Sequence, residues 1–149
     1  RLARETGTTR ARAARVIGAL SPLQTWTGNV DAAGRVLRAP ARGDEGPPAV
    51  GLRRNVAKAW AIATGAGRPS DVLRGPKVRA FYRNICGDLS AVTVDRWAAR
   101  AAGVAETYPS TRARYDEVAA CYTAAAAELG IEPAILQAIV WCSIRGKAE

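Results

Sequence analysis

The stretch Leu73-Arg74-Gly75-Pro76-Lys77-Val78-Arg79-Ala80 decides the fold, because it forms a short Gly-Pro turn between two amphipathic helical patterns. Upstream, apolar residues recur at helical spacing from Leu52 to Ala63, and the pattern stops at Gly65. Downstream, a second apolar stripe ends near Gly87 and consists of Val78, Phe81, Tyr82 and Ile85. The sequence therefore predicts two helices, with a short turn that leads into the second of them.

The rest of the chain also carries helical patterns. Thr9 precedes an apolar stripe that ends at Ser21-Pro22, and a second helix is predicted from Leu23 or Thr25 to Arg38. Asp95 is placed to cap a helix that carries Trp97. Two more helices are predicted, one closed by Gly130 and a last one with Pro133 in its first turn and Ile135, Leu136, Ile139 and Val140 facing inward. The fold class predicted is all-α.

Composition favours a polyanion as partner. The 149 residues contain 22 Lys and Arg against 13 Asp and Glu, a formal charge of +9. The alternative is the arginine and alanine bias of a high-GC genome. Histidine is absent, which excludes imidazole bases and His-ligated metals, so acid-base work must fall to carboxylates or lysine.

The chain is expected to be one soluble, intracellular domain over residues 1–149, without a membrane segment. The three cysteines are far apart and predict neither a zinc site nor a disulfide framework. We expect no metal, no cofactor and a monomer.

Two segments resemble the helix-hairpin-helix DNA glycosylase superfamily, endonuclease III-like. Leu73 to Ala80 is similar to a compressed form of the hairpin L-P-G-V-G-x-K-T-A, and Val94-Asp95-Arg96-Trp97-Ala98-Ala99-Arg100 is similar to V-D-T-H-V-x-R. Lys77 and Asp95 then fall on the catalytic lysine and aspartate, at the spacing of endonuclease III-type enzymes. One hairpin glycine is lost, Trp97 replaces a histidine, and the iron-sulfur cysteines of many relatives are missing.

Further segments resemble the same superfamily in the same order. Ala19 to Thr25 is similar to the segment L-L-S-x-Q-x-T of the superfamily, and Gly51 to Ala57 is similar to its segment G-L-Y-x-x-K-A. The stretch that ends at Gly146 is weakly similar to a helix that ends in H-G-R. The resemblance implies two small helical lobes with a cleft between them. One lobe is expected over about 20–88, and the second from the N-terminal helix and about 89–149.

The resemblance implies a DNA glycosylase that flips a damaged or modified base out of double-stranded DNA. Asp95 would stabilise positive charge on the sugar, and Lys77 would attack the sugar carbon and give a Schiff base. DNA contacts are expected from Gln24 as a wedge, with Leu23 beside it, from Trp26, and from Arg74, Gly75, Arg79 and Arg83. The protein would act in the cytoplasm, at the nucleoid or in a host cell.

Each assignment has a structural alternative. The alternative for Asp95 is a helix cap alone, and the alternative for Lys77 is a phosphate contact without catalysis. For Gln24, a surface or capping role is favoured over the wedge. The indoles of Trp60, Trp97 and Trp141 fall on apolar faces and favour core packing. Two other functions stay open: a phage-type enzyme that modifies a base in DNA, and a helix-hairpin-helix module that binds DNA without catalysis.

Overall fold

The computed structural model describes residues 1–21, 25–67 and 73–145. All regular structure in these ranges is helical, which confirms the all-α prediction. The α-helices are α1 (Leu2–Glu5), α2 (Arg10–Leu20), α3 (Trp26–Arg38), α4 (Arg53–Thr64), α5 (Pro76–Ile85), α6 (Arg96–Ala101), α7 (Arg112–Leu129) and α8 (Pro133–Arg145). Two 3-10 turns lie at Pro40–Arg42 and Tyr108–Ser110. By compactness the chain divides into two units, Arg1–Arg74 and Gly75–Ala148.

In the first unit, α2, α3 and α4 pack against one another. The helices begin where the sequence predicted, because threonine hydroxyls accept hydrogen bonds from first-turn amides: Thr9 from Arg12 N at 3.1 Å and Thr25 from Gly28 N at 3.2 Å. The most buried side chains of these helices are small and include Val16, Ala33, Val36 and Ala59. Small side chains allow the helix axes to approach closely.

The second unit is built around a core of six buried residues, Val92, Val94, Ala98, Tyr115, Val118 and Tyr122. Helix α7 contributes the last three, α6 contributes Ala98, and the two valines come from the segment that precedes α6. Leu136 and Val140 of α8 pack against this core from one side. The segment before α6 is therefore covered by three helices, although it has no regular structure itself.

Helix α8 corrects one sequence prediction. Leu136 and Val140 contact the core as predicted, but Ile135 and Ile139, also predicted to face inward, are 42% and 52% exposed. The helix is apolar on nearly every side, so its pattern does not mark which face is buried.

No single helix in the described ranges is long and apolar enough to cross a membrane. Helix α7 and residues Pro133–Ile144 pass that test only as a pair, and the pair is bent by 100°.

By compactness the second unit begins at Gly75, and the lobes expected over about 20–88 and 89–149 remain a prediction. Helix α5 belongs with the downstream residues because Asn84, in its last turn, holds the segment that follows. Its Nδ2 donates to the carbonyls of Asp88 at 2.9 Å and Ala91 at 2.7 Å, and its Oδ1 accepts from Thr93 Oγ1 at 2.7 Å. A single amide side chain therefore ties α5 to the chain leading into Asp95.

Candidate active site

Asp95 caps helix α6 with one of its two carboxylate oxygens. Oδ1 accepts hydrogen bonds from Trp97 N at 3.0 Å and from Ala98 N at 2.8 Å. Oδ2 accepts no hydrogen bond from any residue that the structure describes, and the side chain is half-buried. The prediction of a helix cap is confirmed. The cap fixes the orientation of the carboxylate and leaves its second oxygen for another partner.

Two buried tyrosines of α7 hold the backbone on both sides of Asp95. The Tyr115 hydroxyl accepts from Val94 N at 3.1 Å and donates to the Val92 carbonyl at 2.9 Å. The Tyr122 hydroxyl donates to the Ala98 carbonyl at 3.2 Å. The carboxylate therefore sits on a segment anchored before and after it. The sequence pattern places Tyr122 on the apolar face of the helix closed by Gly130 and so predicts only a core residue there, and it gave no sign of Tyr115.

The pKa of each of these tyrosines is raised, mainly by burial. Burial raises the pKa of Tyr122 to about 12, and the negative charge of Asp95 adds to the shift. Burial also raises the pKa of Tyr115, and the hydrogen bond from Val94 N lowers it by a smaller amount. The negative charge of Asp95 is a minor cause that raises the pKa further. Both phenols are therefore held in the neutral, proton-donating form.

Alkaline pH is expected to destabilise this unit. Because folding raises the pKa of Tyr122 above its unfolded value of about 10, the native state holds the phenolic proton more tightly. The free energy of unfolding should be unaffected by Tyr122 below about pH 10 and fall as the pH rises from there to about 12. Urea denaturation at several pH values should show this fall in the wild type and a weaker one in Tyr122→Phe. Equal slopes in the two proteins would contradict the assignment.

Lys77 lies in the first turn of α5. Gly75 precedes the helix with φ 93° and ψ 144°, a conformation that L-residues rarely adopt, and Pro76 opens the helix. No side chain caps this end of α5, so its first-turn N–H groups are open to solvent or to an anion. The Lys77 side chain is exposed. The turn thus combines the amides and the cation that a phosphate contact requires.

No hydrogen bond or ion pair joins Lys77 to Asp95, although both lie in the second unit. Helix α5 connects the two residues indirectly, because it carries Lys77 at its start and Asn84 at its end. Asn84 accepts a hydrogen bond from Thr93, which lies two residues before Asp95. The convergence of the amine and the carboxylate on one substrate remains a prediction.

The proposed DNA contacts have different surroundings. Gly75 and Arg79 are exposed in the second unit. Arg83 is paired with Asp88 at 2.7 Å, which offsets its charge. In the first unit Arg74 is exposed and Trp26 is 48% exposed. Gln24 and Leu23 lie outside the described residues.

Within the described ranges, no group of three His, Cys, Asp or Glu side chains is placed to bind a metal ion.

Trp97 differs from the prediction of core packing. Its ring is only half-buried, and two arginines of the same helix lie over it: Arg96 Cζ is 5.0 Å and Arg100 Cζ is 4.8 Å from the ring centroid. Sequence reasoning missed this cluster, and its signal was the spacing Arg-Trp-x-x-Arg directly after Asp95. A cationic, aromatic surface therefore adjoins the candidate carboxylate.

The chain belongs to a family described as "Family of unknown function (DUF7178)", whose model matches residues 1–148. No curated protein and no solved structure matches the chain. The resemblance to the DNA glycosylases therefore rests on the motifs around Lys77 and Asp95 alone.

Proposed function

We propose that this chain is a DNA glycosylase that removes a damaged or modified base from double-stranded DNA, with a lyase step at Lys77. The observation that carries the proposal is the state of Asp95. One of its oxygens is fixed by two capping amides, the other has no partner among the described residues, and buried tyrosines anchor the backbone on either side. A carboxylate held in this way is preorganised to face a developing positive charge.

The chemistry follows from that placement. When the bond between base and sugar breaks, the base leaves with the electron pair and the sugar becomes an oxocarbenium-like cation. The free oxygen of Asp95 would stabilise this cation without having to reorganise. The Lys77 amine, as the free base, would form a bond to C1′ of this cation. The C1′–O4′ bond would then break while O4′ takes a proton from the nitrogen, and the opened sugar would be held on Lys77 as a Schiff base. The chain's formal charge of +9 supports a polyanionic substrate.

A second candidate function is a module that binds DNA without catalysis. It is favoured by the exposure of Lys77, by its lack of an ion pair with Asp95, and by the uncapped first turn of α5. In this alternative the turn holds a backbone phosphate, and Asp95 serves only as a helix cap. The two functions differ in one measurable respect: only the enzyme forms a covalent intermediate or releases a base.

Borohydride trapping tests the lyase step. Duplexes that contain abasic sites or modified bases are incubated with protein and borohydride, and the covalent adduct is resolved by denaturing electrophoresis. We expect an adduct with the wild type and with Lys58→Ala, a matched lysine of α4, and none with Lys77→Ala.

The outcomes separate the functions. An adduct that persists in Lys77→Ala would contradict the assigned nucleophile. Release of base without any adduct would leave Asp95 as the main catalyst and remove the lyase step. Salt-sensitive binding with neither adduct nor base release would overturn the enzyme in favour of the DNA-binding module.

A further inference from the structure

The surface beside Asp95 carries an ordered pair of guanidinium groups. Arg96 and Arg100 of α6 both lie over the indole ring of Trp97, at 5.0 Å and 4.8 Å from its centroid. Both arginines are exposed, whereas the ring is half-buried. Contact with an aromatic face restricts a long arginine side chain and leaves the N–H groups at its edge free to donate.

The two arginines differ in charge balance. Arg100 forms an ion pair with Glu106, so its charge is offset. Arg96 has no carboxylate partner in the described part of the chain. Asp95, its neighbour in sequence, uses Oδ1 to cap α6. Elsewhere in this unit, Arg83 and Arg112 are paired with aspartates. Arg96 is therefore a positive charge held in place without an internal counter-ion.

We propose that Arg96, held on the Trp97 ring, binds the backbone phosphate of the DNA strand next to the nucleotide whose sugar faces Asp95. The inference rests on the proposed function and adds a binding site to it. In DNA each sugar is bonded directly to its phosphates, so a carboxylate and a cation on neighbouring residues suit one nucleotide unit. The planar guanidinium donates two parallel hydrogen bonds to phosphate oxygens.

The Arg100–Glu106 pair has a different role in this site. It fixes a second guanidinium over the indole and keeps the ring in place, while its own charge is balanced. The net attraction for phosphate therefore comes from Arg96. This division of roles predicts that the loss of Arg96 removes one ionic contact, whereas the loss of the ring weakens the same contact without removing the charge.

The test is the affinity for an unmodified DNA duplex as a function of salt concentration, measured by fluorescence anisotropy. Arg96→Ala should weaken binding about tenfold and lower the slope of log K against log salt by about one unit. Arg114→Ala is the matched control, because Arg114 of α7 also lies over an aromatic ring, that of Tyr108 at 5.2 Å, in the same unit but is not next to Asp95 in the chain; it should stay within about twofold of the wild type. Trp97→Leu should weaken binding and retain the slope.

Circular dichroism of each variant should match the wild type, since both arginines are exposed. Equal affinities and slopes for Arg96→Ala and Arg114→Ala would overturn the site, as would a wild type that does not bind the duplex. The result for the site is separate from the result for catalysis. If Arg96→Ala weakens DNA binding but the wild type releases no base, the phosphate site is retained and the proposed enzymatic function is overturned. If the wild type releases a base but Arg96→Ala binds DNA normally, the enzymatic function is retained and the phosphate site is overturned.

Discussion

Replacing Asp95 with asparagine is expected to slow base release at least about 100-fold and to leave the fold intact. Asparagine has a similar shape and is an equally good N-cap, so the hydrogen bonds from Trp97 N and Ala98 N can be retained by its Oδ1. The variant therefore removes the negative charge from the free oxygen while keeping the cap. A residue that served only as a cap would show no loss of rate.

Single-turnover release of the base, followed by chromatography, measures this effect. The matched control is Asp116→Asn, which neutralises an exposed carboxylate of the same unit that is paired with Arg112 at 2.6 Å. It should retain the wild-type rate to within about twofold, since exposed ion pairs contribute little. A rate for Asp95→Asn equal to that of the control would contradict the catalytic assignment.

Replacing Tyr115 with phenylalanine is expected to lower the free energy of unfolding by about 2 to 3 kcal/mol. The hydroxyl accepts from Val94 N and donates to the Val92 carbonyl, and its removal leaves two buried backbone groups without partners. The aromatic ring remains, so the core keeps its volume. Almost all of the expected loss therefore comes from the two hydrogen bonds.

Urea denaturation of the purified variant measures this loss. Tyr108→Phe is the control, because the Tyr108 hydroxyl donates to Glu117 at 2.6 Å in an exposed position, where water can replace it. We expect a change below about 1 kcal/mol for the control. If the two variants were equally stable, the segment around Asp95 would not be held by Tyr115.

Local signals in the sequence were sufficient to predict most helix boundaries. Asp95 caps the helix that it was expected to cap, Thr9 and Thr25 cap helices that start where the sequence predicted, and Gly65 and Gly130 end theirs in left-handed conformations. These signals act within a few residues of the chain, through hydrogen bonds between a side chain and a nearby amide or through positive φ angles. They are therefore readable without knowledge of the tertiary structure.

Packing and distant contacts could not be read in the same way. The hydrogen bonds of Tyr115 link residues 21 and 23 positions apart, and no local pattern distinguishes them from ordinary core burial. The orientation of α8 was partly wrong because Ile135 and Ile139 are as apolar as the residues that contact the core. The same holds for Trp97, whose arginine neighbours are on its own helix but whose exposure depends on the surrounding fold.

The candidate site was predicted in part. The motif placed a carboxylate at the start of a helix, and the structure has it there with one oxygen that has no partner among the described residues. The motif also placed Lys77 at the start of α5, where its side chain is exposed. Whether these two groups meet on one nucleotide depends on how DNA is bound, and that is a property of the complex, not of the local sequence.

The most direct test of the central claim is the release of a free base from DNA. Wild-type protein and Asp95→Asn are incubated with duplexes that each contain one of a panel of damaged or modified bases, and mass spectrometry identifies any base in the supernatant. We predict that the wild type releases at least one of these bases and that the variant does not. If the wild type binds the duplexes but leaves every base attached, Asp95 is a structural cap and the chain is not a glycosylase.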